Sequence, residues 1–128
     1  MFPGGFGAAK NLCTFAVDGA SMTVLADVDR LIKQMYEDKK PLGFICIAPV
    51  IAAKVLGELG PSLTIGNDPG TAEAMAALGA RHADRAVDEI EVDGEHRIVS
   101  TPAYMLGPSI APVSRGIDKL VDAILEMA

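Results

Sequence analysis

Basic charge is in short supply in this chain. Eleven Lys and Arg stand against seventeen Asp and Glu, a formal net charge of −6. The acidic residues are scattered and form no block, so nucleic acid and anionic membrane are not expected partners, because both bind through basic surfaces. No apolar run is long enough to cross a bilayer. The opening Met1-Phe2-Pro3-Gly4-Gly5 has neither the basic flank nor the apolar stretch of a signal peptide. Cysteine is scarce too: Cys13 and Cys46 are the only two. That excludes a disulfide framework and points to a reducing compartment, read here as cytoplasmic. With two histidines and no metal-ligand spacing, no metal site and no cofactor is expected.

What is present suits a folded domain. Half of the 128 residues are hydrophobic and 22% are charged, enough for one domain, residues 1–128, with a real core. Apolar residues Val24, Val28, Leu31, Ile32 and Met35 recur at helical spacing and predict an amphipathic helix over 21–40. Leu42 to Ile45 is a short strand, and a helix follows from Pro49 to Leu59, with Pro49 in a first-turn position. Leu63 to Ile65 is a second strand. Thr71 is expected to cap a helix ending at Gly79. Glu89–Val92 and Arg97–Ser100 flank Asp93-Gly94, the strongest hairpin signal in the chain. Ser109 is expected to cap a final helix lined by Ile110, Val113, Ile117, Leu120, Val121, Ile124 and Leu125. Ala8 to Phe15 is read as a short helix after the glycine loop. Alternating strands and helices predict an α/β domain with a mostly parallel sheet, whose site sits at the carboxyl ends of the strands. Four loops are expected to meet there: 4–8, the corner at Cys46, 66–71 and 101–104.

Cys46 ends a strand just where a helix begins. A thiol on such a corner lies beside free helix N–H groups, which favour the thiolate. Its neighbours two before and two after are Phe44 and Ala48, so only one side matches the small-residue pattern of a nucleophile elbow. The alternative is a small buried hydrophobe. Gly5-Phe6-Gly7-Ala8-Ala9-Lys10 fits neither a dinucleotide fingerprint, which needs a third glycine, nor a P-loop. It is either an oxyanion-binding loop of backbone N–H groups or a plain connection. His82 and His96 fall outside the expected site and are read as structural or solvent-exposed, and Cys13 as incidental.

Pro3-Gly4-Gly5-Phe6-Gly7-Ala8-Ala9-Lys10-Asn11-Leu12, Gly43-Phe44-Ile45-Cys46-Ile47-Ala48-Pro49, Thr71-Ala72-Glu73 and Thr101-Pro102-Ala103-Tyr104-Met105 together resemble the ElbB family. That family sits within the class I glutamine amidotransferase-like superfamily, beside the PfpI-type proteases and deglycases. The resemblance runs through nearly the whole chain in order. It implies a flavodoxin-like three-layer α/β sandwich, a homodimer or larger homo-oligomer, and a catalytic cysteine at Cys46. The oxyanion site would come from Gly4, Gly5 and the N–H of Ile47. It implies glyoxalase-type conversion of a small-molecule carbonyl, a dicarbonyl, to a 2-hydroxy acid. It also implies an upstream region with the first strands and an acidic partner for the cysteine, so the chain is expected to be the C-terminal part of the fold, N-terminally truncated. Relatives with a Cys-His pair place the histidine near Ile65 to Asn67, where this sequence has none. Activity is therefore expected to be weak or absent in this chain alone, and a non-catalytic redox- or metabolite-responsive binding module is the alternative.

Overall fold

The computed structural model describes every residue from Met1 to Ala128. Its helices are α1 (Phe15–Asp18), α2 (Ala26–Glu37), α3 (Pro49–Leu56), α4 (Pro69–Ala77) and α5 (Ile110–Met127). Its strands are β1 (Leu42–Ile45), β2 (Ser62–Leu63), β3 (Arg81–His82), β4 (Glu91–Asp93) and β5 (Ile98–Thr101).

The centre is the parallel pair β1 and β5, in register Leu42 with Ile98 through Ile45 with Thr101. Both are almost wholly buried, as strands covered on two faces must be; β1 is apolar, while β5 ends in the buried hydroxyls of Ser100 and Thr101. Because side chains alternate across a strand, Leu42 and Phe44 enter one core with Ile32 of α2, Ile51 and Leu56 of α3 and Met75 of α4. Gly43 faces the opposite side. A Cβ there would lie 3.1 Å from Leu120 and 3.4 Å from Ile124, so the missing side chain lets α5 close on the sheet. Residue Phe2 extends the sheet beyond β1. Its N–H donates to Gly43 O at 2.7 Å, and its carbonyl accepts from Ile45 N at 3.0 Å. Its ring stacks on Phe44, with centroids 5.1 Å apart.

The sheet is smaller and more mixed than expected. The order is β1-β5-β4, with β4 antiparallel to β5, while β2 and β3 form a separate parallel pair. Side chains stitch the two sheets together. Asp93 accepts from Ser62 N at 2.8 Å, Glu91 accepts from Ser62 Oγ at 2.7 Å, and Ser100 Oγ accepts from Thr64 N at 2.9 Å. The Asp93 carboxylate and the Ser100 hydroxyl thus satisfy the N–H groups of Ser62 and Thr64, which a continuous backbone ladder would otherwise take.

Local corrections follow the same accounting. Asp68, not Thr71, caps α4; its carboxylate accepts from Thr71 N at 2.9 Å and Thr71 Oγ1 at 2.6 Å, leaving Pro69 in the first turn. Those two bonds hold the Asp68 carboxyl below its usual range. The hairpin forms, but its loop runs over 94–97, not a two-residue turn. Asp93 closes it by accepting from His96 N at 3.0 Å. Ser109 precedes α5 without a side-chain capping bond. The helix over 21–40 is trimmed to α2, and residues 8–15 form a π-helical turn that ends at Leu12 before α1. On α5, Ile110 and Leu125 are exposed while Val113, Gly116 and Leu120 are buried.

Candidate active site at the Cys46 corner

Strand β1 ends at Ile45, a turn covers 46–48, and α3 starts at Pro49. Cys46 sits in that turn at φ 64°, the left-handed region that side chains other than glycine rarely adopt. Such a conformation costs on the order of 1–3 kcal/mol and persists only where neighbours hold it. Here Cys46 N donates to Thr101 O at 3.0 Å, tying the corner to the end of β5. On the other side Gly4 packs directly against Cys46. A Cβ at Gly4 would overlap the Cys46 Cβ and come within 2.7 Å of Ile45 O and 3.1 Å of Cys46 Sγ. Only glycine allows this approach.

Cys46 is half-buried and opens into a cavity of about 400 Å³. Ile47 and the glycine loop at Gly5, Phe6 and Ala9 form part of its wall, and Phe15, Ala16 and Met105 complete it. The N–H groups of Gly5 and Ile47 donate to no other group of the chain, so both are free for a ligand oxygen. Gly4 against Cys46, and Gly5, Cys46 and Ile47 around the cavity, are thus brought together. Of the further loops expected there, 101–104 reaches the corner through Thr101 O but does not line the cavity, which is bordered by the next residue, Met105. The 66–71 loop does not line the cavity: a Cβ at Gly66 would come within 2.9 Å of Leu106, and Asn67 and Leu106 border a different cavity. Nothing in the sequence marks Phe15 and Ala16 as site residues, since the four-residue α1 is too short to show a periodicity, and Met105 stands out only as the end of a resemblance motif.

The remaining candidates lie elsewhere. Cys13 is buried, with Sγ 3.7 Å from Ala8 O and Ala9 O; burial pushes its thiol up, opposed by the backbone at Phe15. A buried, raised thiol is inert. His82 has a side chain 7% exposed; its Nε2 accepts from Ile65 N at 3.2 Å, which requires the neutral ring. Burial lowers its pKa, against the charges of Asp84 and Glu91. His96 is buried against Asp93 at 2.8 Å. For Asp93, burial acts upward but is outweighed by bonds from Ser62 N and from His96, which hold it below its usual range. Both histidines are structural. No group of three or more metal-ligating side chains is assembled, and no helix is long and apolar enough to cross a membrane.

No protein-family model matches the chain. Known proteins do. The chain is 45% identical over 136 residues to the ES1 protein homolog, mitochondrial, of Rattus norvegicus, covering 99% of this chain and 50% of that protein. It is equally similar, over the same shares, to the human glutamine amidotransferase-like class 1 domain-containing protein 3, mitochondrial. A crystal structure from Ehrlichia chaffeensis, an isoprenoid biosynthesis protein with an amidotransferase-like domain, superposes with a TM-score of 0.85 at 28% identity. That match covers 97% of this chain and 56% of the other. The chain is an ES1/ElbB-like homologue with the glutamine amidotransferase-like class 1 fold in part. It spans about half the length of the curated relatives it matches. The comparison corrects one expectation. These relatives, and a third from Danio rerio, are mitochondrial proteins, so the cytoplasmic assignment is withdrawn. Unpaired cysteines report a reducing environment and carry no address.

Proposed function

We propose that Cys46 is a nucleophile that adds to carbonyl carbon. The sulfur–carbon bond forms as the carbonyl π bond breaks, and the thiol proton ends on oxygen, giving a thiohemiacetal with no other reactant consumed. The observation that carries this is the strained, Gly4-backed Cys46 facing a cavity beside two undonated N–H groups, Gly5 and Ile47. Those groups supply the oxyanion stabilisation that such an addition needs.

Glyoxalase-type turnover asks for more. After addition to a dicarbonyl, a proton must move between the two carbons before water releases the 2-hydroxy acid, and that step needs a general acid–base. Apart from Cys46, no ionisable side chain lines the cavity. Conversion by this chain alone is therefore weak, and a metabolite-responsive thiol that binds without turnover is the second reading the same lining favours. Glyoxal consumption by the wild type against Cys46→Ala tests the catalytic reading; equal rates remove Cys46 from it.

A flavodoxin-like three-layer arrangement belongs to this proposal, supported by helices on both faces of the β1–β5 pair. So does self-association, supported by exposed Met1, Ile110 and Leu125. Sedimentation showing a compact monomer at working concentration would remove the latter.

A further inference from the structure

We infer that the cavity beside Cys46 selects a carbonyl compound with an apolar tail, an aliphatic or aryl aldehyde, over small polar dicarbonyls and over the side-chain amide of glutamine. This rests on the carbonyl-addition reading above and specifies its substrate class. The walls are Phe6, Ala9, Phe15, Ala16, Ile47 and Met105. The polar groups among the lining residues are few: the Cys46 thiol and the backbone, including the free N–H groups of Gly5 and Ile47. A carbonyl oxygen can take those N–H donors, and the side chains around the rest of the molecule are hydrocarbon apart from the Met105 thioether.

Size points the same way. A dicarbonyl of four heavy atoms, at the ~30 Å³ that a water molecule occupies in the liquid, fills about a third of the roughly 400 Å³. The rest would hold water against apolar walls. Glutamine brings two amide N–H donors, a charged amine and a carboxylate; the lining offers them no charged side chain to pair with and only the weakly accepting sulfurs of Cys46 and Met105. An alkyl or phenyl tail displaces that water, and each buried methylene strengthens binding about fourfold. The rim suits an entering tail, because Phe6 is 71% exposed and apolar there.

The test is reversible protection of Cys46 from iodoacetamide, read by mass spectrometry of the folded chain, with glyoxal, propanal, butanal, hexanal and phenylacetaldehyde as probes. Protection should tighten about fourfold per added methylene and favour hexanal over glyoxal by at least tenfold. Ala16→Asp, at an exposed wall position, should collapse that preference. Phe6→Ser, also exposed, should reduce it if the aspartate variant fails to fold. A flat or inverted series, with carbonyls still protecting Cys46, overturns this substrate class and leaves the carbonyl reading standing. No protection by any carbonyl overturns that reading and this inference with it.

Discussion

Around Ser62, Glu91, Asp93 and His96 each carboxylate ends on a partner, whereas beside Cys46 the N–H groups of Gly5 and Ile47 are left free. Asp93 accepts from Ser62 N, His96 N and His96 Nδ1, and Glu91 from Ser62 Oγ while pairing with Arg85 at 2.6 Å. That cluster holds most of the ionisable chemistry of the interior and spends it on joining two sheets. The Cys46 corner holds a single ionisable side chain, a backbone conformation that costs energy, and two N–H groups without acceptors. Saturated polar groups rigidify a fold; donors left without a partner in the chain, beside a strained residue and a cavity, remain available to a ligand oxygen.

Breaking the saturated side should have the largest effect on stability. Asp93→Ala leaves Ser62 N and the His96 ring without their acceptor inside the protein, and we expect a loss of about 3 kcal/mol. Urea unfolding measures it; a loss under about 1 kcal/mol would mean the junction is wet and loosely held. At the other region, Gly4→Ala forces a methyl into Cys46 and Ile45 O. We expect about 2 kcal/mol of destabilisation together with slower alkylation of Cys46 in the folded chain. An unchanged alkylation rate would show that Gly4 does not position the thiol.

Strain gives a smaller and sharper contrast. Glycine adopts φ 64° freely and alanine does not, so Cys46→Gly should be more stable than Cys46→Ala by about 1 kcal/mol. Equal denaturation midpoints would argue that Cys46 is not strained. Acidification should produce the mildest change. His82 is held neutral in the fold, with a pKa below its ordinary 6.5, so the unfolded chain binds more protons just below that pH. Stability is then full above pH 6.5 and falls as pH drops from there toward the folded value. The depressed Asp93 adds a second loss only below its ordinary 3.8, as pH falls through its folded value. The first fall should be absent from His82→Gln, and a midpoint that rises on acidification would contradict the neutral assignment.

Much of this was legible in residues. Leu42 to Ile45 reads as a strand because four consecutive residues are apolar or Gly and a proline stands before them, and Cys46 follows from the strand-to-helix change. The Gly4–Cys46 approach needed the resemblance, since a glycine loop alone is equally a connection. What sequence did not give are interactions that span distance without periodicity. Ser62 bonding Asp93 and Glu91 is a pairing across about thirty residues, and Asp68 displacing Thr71 as cap turned on which side chain the chain could fold back. Phe15 and Ala16 of α1 reach the cavity from one side and Met105 from a turn about ninety residues on, a convergence that only the tertiary fold creates.

On the reading proposed above, Cys46 takes a carbonyl carbon beside the free N–H groups of Gly5 and Ile47. Carbon-13 NMR of hexanal labelled at the carbonyl, mixed with the folded chain, observes that bond directly. The prediction is a new thiohemiacetal resonance in the wild type that is lost in Cys46→Ala and retained in Cys13→Ala. A spectrum holding only free aldehyde and its hydrate, or the same adduct in both wild type and Cys46→Ala, would contradict it.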